Sequence, residues 1–561
     1  MKGRPFLAVL LVVALLTLGL GWGGWWLVWR RSPLQLQRQI LTVPRAARFV
    51  PRQAPLSLFV FSDGEQPVNY ARAVAPLRQR DAATRAVERL RDGAFAAAGL
   101  DYHDELAPWL APEVALALFD TPDTPAGSGW LLILHSKDSE GARRFLQRFW
   151  QSRSLAGSGL QVSQYRGMGL ISGRGALVGR DPVPLATALV EDDLVLLASG
   201  RTTLERALDV SQIDELNQAG LAALGEGVDR LGEGMALLVA RSGALGPWLG
   251  LPSLDVGERG SGPLLIGALQ PRGQELVLEG LLQRLPAAPA GAPSPAEPPL
   301  ADQPSPADQR SSADQPADGS TALTSALIEG LGADSLSLAL LRNPAALLAQ
   351  PWLTPLLDTI TQPPGGGPLP PLLAAKASGP LLVSMDSDGW LIGTSRTSPP
   401  LESLEAPLAA QGLIDAPLDI DGDNATVWTR LQVPVAASGR SAGGDELRAS
   451  VVGWRQEREE LAWWGSGLER LQHTNAHRGG GGGERQRQLA SLGMPQAPLR
   501  WAMGREAAIA LLGPWRPWTL LSSLAGDSLS RGVQGLAVAV EPDATPVRWI
   551  AQLQFGAEPH G

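Results

Sequence analysis

The chain begins with an uncharged apolar run from residue 6 to residue 29, and this run constrains its architecture more than any other feature. A helix rising about 1.5 Å per residue over this run would measure about 36 Å, longer than a hydrocarbon core of about 30 Å. Basic residues flank the run, and four tryptophans lie near its C-terminal end, where indoles favour the headgroup level. We therefore predict a single-pass transmembrane anchor over residues 1–31, with the lipid bilayer as the partner of residues 6–29.

A cleaved signal peptide is the alternative interpretation of this run. The apolar region of a signal peptide usually has about 7–15 residues and ends at small side chains. This run is longer and ends in bulky tryptophans, which favours an uncleaved anchor. Positive charges are more numerous after the run than before it, which by itself leans against export of the C-terminus. A very short basic tail before one apolar run is nevertheless typical of a signal-anchor. We therefore expect the body on the exported side of the membrane.

The rest of the chain is long and acidic. The protein has 561 residues and a net charge of −9, and residues 1–31 contribute four positive charges, so the remainder carries −13. This length exceeds what one hydrophobic core usually organises, which predicts two domains. An acidic body argues against a nucleic-acid partner, because phosphate binding needs a basic surface. The chain has no cysteine, which excludes disulfides, thiolate chemistry and cysteine-ligated metals.

Composition divides this body into two lobes and a linker. Residues 32–285 form the first predicted lobe, and we interpret its polar N-terminal part, 32–53, as a stalk. Residues 286–322 are rich in Pro, Ala, Asp and Gln and cannot bury enough apolar surface to become ordered, which predicts a disordered linker. Residues 323–561 form the second lobe. Short strand-like runs, a hairpin pattern at 264–282 and weak βαβ periodicity predict the α+β class: two similar lobes of antiparallel sheet with helices packed on one face.

Short sequence matches occur in the same order in both lobes and predict an internal duplication. Each match alone is at chance level, and a shared preference for Leu, Gly and Trp is the alternative explanation. The matches are Leu56-Ser57-Leu58 with Leu336-Ser337-Leu338, Gly129-Trp130-Leu131 with Gly389-Trp390-Leu391, Ser199-Gly200 with Ser466-Gly467, Pro247-Trp248 with Pro514-Trp515, Pro271 with Pro542, and Leu282-Gln283 with Leu553-Gln554.

One stretch matches a catalytic motif by its letters. Gly526-Asp527-Ser528-Leu529 spells the nucleophile block of GDSL-type esterases, in which a later histidine supplies the base that a serine needs to lose its proton. That block lies near the start of the catalytic domain in the esterases, whereas here only His560, next to the C-terminus, follows it. We interpret the match as chance and predict no catalytic residue.

Two other patterns suggest metal ligands. His473 and His477 lie one helical turn apart, and Glu469 lies one turn earlier, as ligands of a metal can. A glycine-rich loop follows them, and no third histidine is near, so we favour a solvated helix end. Residues 419–424 approximate a calcium loop, but Arg430 occupies the position where an EF-hand requires glutamate. We therefore interpret this stretch as a polar turn and predict no metal and no cofactor.

Several short motifs resemble one known family. They are Asp104-Glu105-Leu106-Ala107-Pro108-Trp109-Leu110, Lys137-Asp138 and Tyr165-Arg166-Gly167, behind the apolar anchor. With these motifs the chain resembles uncharacterised domain-of-unknown-function proteins of cyanobacteria, which carry one N-terminal membrane segment and a large exported body. The resemblance extends over both lobes. It implies an architecture and a location, with the body on the periplasmic or thylakoid-lumen side. Because the family has no known activity, it implies no site residues.

Three functions remain open from the sequence. The first is a membrane-anchored, non-enzymatic binding or scaffold protein of the cell envelope or thylakoid, which the anchor, the linker and the missing catalytic set favour. The second is a carrier of lipid or another apolar ligand, held in a groove between sheet and helices. The third, and least favoured, is a hydrolase that uses Ser528.

Overall fold

The computed structural model describes residues 32–120, 128–154, 159–175, 183–250, 263–283, 318–331, 335–362, 367–387, 389–420, 423–432, 448–467, 483–526 and 528–556. The predicted anchor, residues 1–31, lies outside these ranges. Within them, no helix combines the length and the apolar character that crossing a bilayer requires.

Twenty strands are found in the described residues. In the first half they are β1 (Leu56–Val60), β2 (Leu110–Asp120), β3 (Ser128–Ser136), β4 (Gln161–Tyr165), β5 (Met168–Gly175), β6 (Val183–Val190), β7 (Leu194–Ala198), β8 (Ala236–Arg241), β9 (Leu264–Arg272) and β10 (Glu275–Gln283). In the second half they are β11 (Ser337–Leu341), β12 (Leu381–Asp386), β13 (Gly389–Ser395), β14 (Leu413–Ile420), β15 (Asp423–Gln432), β16 (Arg448–Arg458), β17 (Leu461–Gly465), β18 (Leu499–Gly504), β19 (Val533–Glu541) and β20 (Val547–Phe555).

The α-helices lie between these strands. In the first half they are α1 (Gln66–Val74), α2 (Arg80–Ala97), α3 (Ser139–Ser154), α4 (Arg201–Val210), α5 (Ala222–Leu231) and α6 (Ser242–Leu249). In the second half they are α7 (Asp318–Glu329), α8 (Pro344–Leu348), α9 (Thr354–Thr361), α10 (Leu369–Lys376), α11 (Glu402–Ala410), α12 (Glu484–Ser491), α13 (Arg505–Leu512), α14 (Arg516–Ala525) and α15 (Ser528–Gly532).

All the strands belong to one antiparallel sheet, which confirms the mixed helix and antiparallel-sheet class. The strand order is β4-β5-β6-β7-β3-β2-β1-β8-β9-β10-β20-β19-β18-β11-β12-β13-β17-β16-β15-β14. The two sequence halves meet where β10 pairs with β20, from Glu275 opposite Gln554 to Leu282 opposite Val547. The halves therefore share one hydrogen-bonded sheet.

Helices cover both faces of this sheet, so the prediction of helices on one face was wrong. Several strands are buried at every position, as in β7 and β11, and such strands need a cover on each side. We call the face that carries Phe59 the back face and the face that carries Leu58 the front face. On the back face, α4 and α5 cover the first half, and α7 and α12 cover the second half.

Two cores lie on the front face. The first front core packs Phe145, Phe149 and Trp150 of α3 against β3, β6 and β7. The second front core packs α8, α9, α10, α13 and α14 against β11, β12, β13 and β18. A small cluster around Leu245 of α6 and Leu265 of β9 adjoins the second front core, because Trp352 and Trp549 pack against both. The front face thus has two well-covered regions, and the strands between them have a thinner cover.

The segment that we predicted as a stalk, residues 32–53, is part of the fold. It forms two 3-10 helices, Pro33–Arg38 and Arg45–Phe49, and the fully buried Phe49 and Val50 belong to the core behind the sheet. The polar composition of this segment was misleading, because the side chains of Leu36, Leu41, Phe49 and Val50 are buried although Leu34, Ile40 and Val43 are exposed. The predicted linker ends earlier than expected, since α7 begins at Asp318.

Candidate functional site

Among the inner strands of the sheet, β1, β2 and β8 carry an incompletely covered part of the front face. Leu58 of β1 pairs in register with Leu116 of β2 and with Leu238 of β8, so the three side chains lie side by side. Leu58 is 37% exposed and Leu116 is 41% exposed, whereas Phe59, the neighbour of Leu58 on the back face, is fully buried. These leucines are therefore apolar side chains without a complete protein cover.

Pairing in register extends this surface over five strands. We call it the leucine face. All its members are aliphatic, lie on the front face and are half-buried or exposed. They are Leu56, Leu58 and Val60 of β1, Val114, Leu116 and Leu118 of β2, Leu238 of β8, Leu269 of β9, and Leu276 and Leu278 of β10.

Two glycines and a tryptophan border one side of the leucine face. Gly267 of β9 and Gly280 of β10 pair directly with each other and have no side chains to fill the surface. A Cβ on Gly280 would overlap the indole of Trp549, so the indole lies flat against this glycine. Beside it, a Cβ on Gly267 would lie 3.6 Å from Cδ1 of Leu278 and 3.9 Å from Cβ of Leu238. The Trp549 indole therefore covers Gly280, and both glycines are buried at this border of the leucine face.

Helix α6 closes one end of this region. Its Leu245 and Leu249 pack with Leu56 and Trp549 in the small front cluster. The carbonyl oxygen of Leu249 accepts a hydrogen bond from Nε1 of Trp515, which ties α6 to the start of α14. This end of the leucine face is therefore bounded by packed side chains.

Helices α2 and α14 bridge the space between the two front cores. Phe95 of α2 packs on the first front core, and Trp518 of α14 is buried in the second. The helices contact each other where a Cβ on Gly93 would lie 3.2 Å from Cβ of Leu524. None of the side chains of α2 is buried, and Leu520 of α14 is 61% exposed. The bridge is consequently loosely packed compared with the cores at its two ends.

A buried tyrosine anchors the C-terminal part of α2. The Tyr102 ring stacks on Phe95, with 5.6 Å between centroids, and the guanidinium carbon of Arg91 lies 4.1 Å from the Tyr102 centroid. Arg91 also pairs with Glu65 at 2.7 Å and contacts Nε2 of His103 at 2.7 Å. Burial, with a smaller contribution from the nearby Glu65 carboxylate, raises the pKa of Tyr102 to about 12.

Alkaline titration tests this packing of the Tyr102 side chain. Because the folded-state pKa of Tyr102 lies above the ordinary value of 10.0, its neutral phenol contributes stability below pH 10 that is lost as the pH rises towards 12. We expect one of the three tyrosines to form phenolate only near pH 12, and Tyr102→Phe to remove that step from the phenolate absorbance and to lessen the alkaline loss of stability. If Tyr102→Phe leaves the late step in place, the assignment is wrong.

The strands at the matching places in the other half have a full cover. The strand order on one side of the β10–β20 junction becomes the order on the other side when ten is added to each strand number. The strands at the places of β1, β2 and β8 are β11, β12 and β18. Their front-face side chains Ala339, Val383 and Trp501 are buried in the second front core. The leucine face is thus an uncovered version of a surface that is closed elsewhere in the same sheet.

The structure does not assemble a catalytic site from the sequence candidates. Ser528 is the first residue of α15, but its side chain and His560 lie outside the described part of the chain. The two histidines that are described contact arginines: His103 contacts Arg91, and Nε2 of His135 lies 3.1 Å from Nη1 of Arg45. The hydrolase hypothesis therefore gains no supporting contact.

The metal candidates are likewise not assembled. Glu469, His473 and His477 lie outside the described residues. At the calcium-like stretch, β14 and β15 form an antiparallel hairpin in which Ile420 pairs with Asp423. A twelve-residue ion loop would have to run through β15, so the hairpin supports the polar-turn interpretation. In the described ranges, no group of three or more acidic or histidine side chains could hold a metal ion.

Sequence reasoning did not single out the leucine face. The pattern Leu56-Ser57-Leu58-Phe59-Val60-Phe61 predicts a strand, and it is apolar on both faces. Which face has a cover depends on α2 and α14, and α14 lies more than 400 residues further along the chain. The one available signal was the groove lined by leucine and tryptophan that the carrier hypothesis expects.

Comparisons with known proteins place the chain in a family. No curated protein matches it. Two solved structures, crystal forms I and III of TP0453, resemble it at 12% and 11% identity, with TM-scores of 0.26 and 0.25. Each covers 44% of this chain, and 81% and 82% of the TP0453 chain respectively, and TM-scores this low do not establish a common fold. The family profile described as protein of unknown function (DUF3352) matches residues 10–359, and the chain therefore belongs to this family.

Proposed function

We propose that the protein binds an apolar, chain-like ligand such as a lipid acyl chain on the leucine face, as a membrane-anchored binder or carrier. The observation that carries this proposal is the incomplete cover of Leu58 and Leu116 in the middle of a sheet that is closely packed on either side. Contiguous exposed apolar surface commonly marks a binding site, and pockets for small ligands are mostly apolar.

The shape of the surface favours a narrow ligand. The Trp549 indole, which lies over Gly280, bounds the leucine face on one side, and α6 bounds one end. From β2 to β20 the surface crosses five strand spacings, about 24 Å at about 4.8 Å each. An extended hydrocarbon chain suits a shallow aliphatic track of this length. A rigid protein surface would also have to accommodate α2 and α14, which bridge the same region.

We also propose that the two halves arose by duplication and that the second copy closed the equivalent surface. The repeated strand order supports this, and so do matching hydrogen bonds. The amide nitrogen of Trp130 donates to Oγ of Ser199 at 2.9 Å, and that of Trp390 donates to Oγ of Ser466 at 3.0 Å. Both pairs belong to the sequence matches that suggested the repeat.

The strand registers support the same equivalence independently of sequence. We align Arg241, the end of β8, with Gly504, the end of β18, and follow the pairing outward. This alignment makes Leu131 equivalent to Leu391 and Ala198 equivalent to Gly465. The residue numbers of these pairs differ by 260 and 267, as they do in the sequence matches at Gly129-Trp130-Leu131 and Ser199-Gly200.

One match is displaced by a residue. The sequence pairs Leu58 with Leu338, but Leu58 lies on the front face and Leu338 lies on the back face. The strand registers therefore make Leu338 equivalent to Ser57, the preceding residue. The equivalent of Leu58 is therefore the buried Ala339.

The binding proposal is tested with two threonine substitutions. Threonine suits a strand but replaces an aliphatic surface by a hydroxyl, so we expect the double variant Leu58→Thr/Leu116→Thr to fold and to bind oleyl alcohol at least tenfold more weakly. Full-length protein is kept in solution with an amphipathic polymer, and binding of oleyl alcohol is measured by the displacement of a fluorescent apolar probe. A titration of the polymer without protein is the blank.

The control is Ile414→Thr on β14, an exposed aliphatic residue outside the leucine face, and this variant should bind like the wild type. Absence of saturable binding to the wild type would overturn the proposal. Equal losses of affinity for oleyl alcohol in the control and in the double variant would also overturn the proposal.

The location also belongs to this proposal. The uncharged run of residues 6–29 supports a single-pass anchor, and its short basic N-terminal flank supports a body on the periplasmic or thylakoid-lumen side. Protease protection in sealed membranes tests this orientation, and a body accessible only from the cytoplasmic side would contradict it.

A further inference from the structure

We propose that Arg342 and Arg500 form a binding site for an oxyanion, a phosphate or a carboxylate group, on the back face of the second half. This site lies on the opposite face of the sheet from the leucine face and does not depend on the binding of an apolar ligand there. Three observations carry the proposal: the two arginines are neighbours, the buried guanidinium has no partner, and its end reaches the solvent.

The strand register places the two arginines next to each other. Arg500 of β18 pairs with Leu340 of β11 on one side and with Ala539 of β19 on the other, and both belong to the core behind the sheet. Arg342 follows β11, and its amide nitrogen donates to the carbonyl oxygen of Pro498 at 2.8 Å. Arg342 and Arg500 are therefore diagonal neighbours on the back face, at a spacing of about 7–8 Å that long side chains can bridge.

The Arg500 side chain is buried without a counterion. Arg500 is only 7% exposed, and its Nε is enclosed and has no hydrogen-bond partner. Nε of Arg342 is enclosed and unpartnered in the same way. Burial and the neighbouring positive charge of Arg342 lower the pKa of Arg500 from its ordinary value. Arginine nevertheless stays protonated in proteins, and an unpaired buried charge is costly, so this arrangement favours an anion between the two guanidinium groups.

The acids on the adjoining strands have other positions. Glu541, at the end of β19, pairs in register with Arg548 of β20, and the Arg548 guanidinium forms an ion pair with Glu279 at 3.2 Å. In the part of the chain that the structure describes, no carboxylate forms an ion pair with Arg342 or Arg500. The negative charge that would balance these two arginines therefore has to come from a ligand.

The site is open at one end. The terminal nitrogens of Arg500 are not enclosed and have no partner among the described residues, so they reach the solvent. Arg342 is half-buried, and its Nη1 donates to Oε1 of the exposed Gln496 at 2.5 Å. This contact holds the Arg342 guanidinium in place and leaves its other terminal nitrogen for a ligand. Guanidinium groups match the geometry of carboxylates and phosphates, and a guanidinium that is already positioned loses less conformational entropy on binding.

The test measures the binding of inorganic phosphate, glycerol 3-phosphate and acetate. Full-length protein is kept in solution with a non-ionic detergent and titrated by calorimetry at constant ionic strength. We expect saturable binding of at least one of these anions. Tighter binding of acetate identifies a carboxylate ligand, tighter binding of inorganic phosphate identifies the free ion, and tighter binding of glycerol 3-phosphate identifies the phosphate group of a larger molecule.

Variants show whether the two arginines hold the anion. Arg500→Gln and Arg342→Gln should each weaken binding of the preferred anion by at least about tenfold, because a charge-assisted hydrogen bond contributes about that factor. Arg342→Gln changes a half-buried residue outside the strands, so it tests the site even if Arg500→Gln fails to fold. The preferred anion should also raise the Tm of the wild type but not that of Arg500→Met, because only the folded wild type binds it.

Two controls separate this site from general charge effects and from the leucine face. Arg487→Gln, at an exposed arginine of α12, should bind the anion like the wild type. Leu58→Thr/Leu116→Thr should do so as well, because these leucines lie on the opposite face. Absence of saturable binding of all three anions to the wild type would overturn the proposal. Binding of wild-type strength in Arg342→Gln/Arg500→Gln would also overturn it, and neither result would affect the apolar site.

Discussion

Replacement of Trp464 with alanine should lower the free energy of unfolding by about 3–5 kcal/mol, the usual cost of removing a fully buried large aromatic side chain. Trp464 is completely buried in the second front core. Its ring stacks on that of Trp428, with 5.4 Å between centroids, and the guanidinium carbon of Arg455 lies 5.3 Å from the Trp464 centroid. Its Nε1 donates to Oγ1 of Thr394 at 3.2 Å. Denaturant unfolding of the full-length protein measures the effect.

Two variants separate the packing effect from other causes. Trp464→Phe retains a ring beside Trp428 and should lose clearly less stability than Trp464→Ala. Leu520→Ala removes an exposed apolar side chain and should change stability by less than about 0.5 kcal/mol. An effect of Trp464→Ala no larger than that of Leu520→Ala would contradict the packing of the second front core.

Replacement of Glu275 with alanine should weaken the junction between the two halves by about 2–4 kcal/mol. The Glu275 carboxylate on β10 accepts hydrogen bonds from Nε2 of Gln552 and, at 3.1 Å, from Nε2 of Gln554, both on β20. Gln488 of α12 donates to Oε1 of Gln554 at 2.5 Å, and Arg485 donates to Oε1 of Gln488 at 2.6 Å. Gln552 is buried and Gln554 is half-buried, so the two amide groups left without the Glu275 carboxylate pay a desolvation cost of about 1–3 kcal/mol each.

The same pair of strands offers a matched control. Glu279 of β10 pairs with Arg548 of β20 at 3.2 Å in a more exposed position, and Glu279→Ala should cost less than about 1 kcal/mol. Hydrogen exchange should become faster in β10 and β20 in Glu275→Ala and change little in Glu279→Ala. Glu275→Gln, which keeps one acceptor oxygen, should be intermediate. Equal effects of the two alanine variants would contradict the proposed weight of this network.

Local elements were largely predictable from the sequence. The hairpin pattern at 264–282 appears as β9 and β10, and the run from Gly129 to Leu134 lies within β3. The helical pattern from Tyr70 to Gly99 is divided into α1 and α2, because Pro76 cannot continue a helix that precedes it. These features depend on neighbouring residues, which the sequence displays directly.

The burial of side chains by elements that are distant in sequence was not predictable in the same way. The polar count of residues 32–53 suggested a stalk, yet Phe49 and Val50 are buried. Leu58 and Phe59 look equally apolar in the sequence, and only the packing distinguishes the uncovered side chain from the buried one. The candidate site consists of such differences in cover, so no motif could mark it.

The sequence by itself determined several strands of the first half, the β9–β10 hairpin and a resemblance to a family of unknown function, because period, turn residues and short motifs are local properties of the chain. Only the tertiary structure decided that both halves share one sheet through β10 and β20, that helices lie on both faces, and that the leucine face keeps an incomplete cover. The physical reason is that the burial of a strand's side chains is set by helices that are distant in sequence. Two strands with similar patterns can therefore end in a closed core or at an open surface.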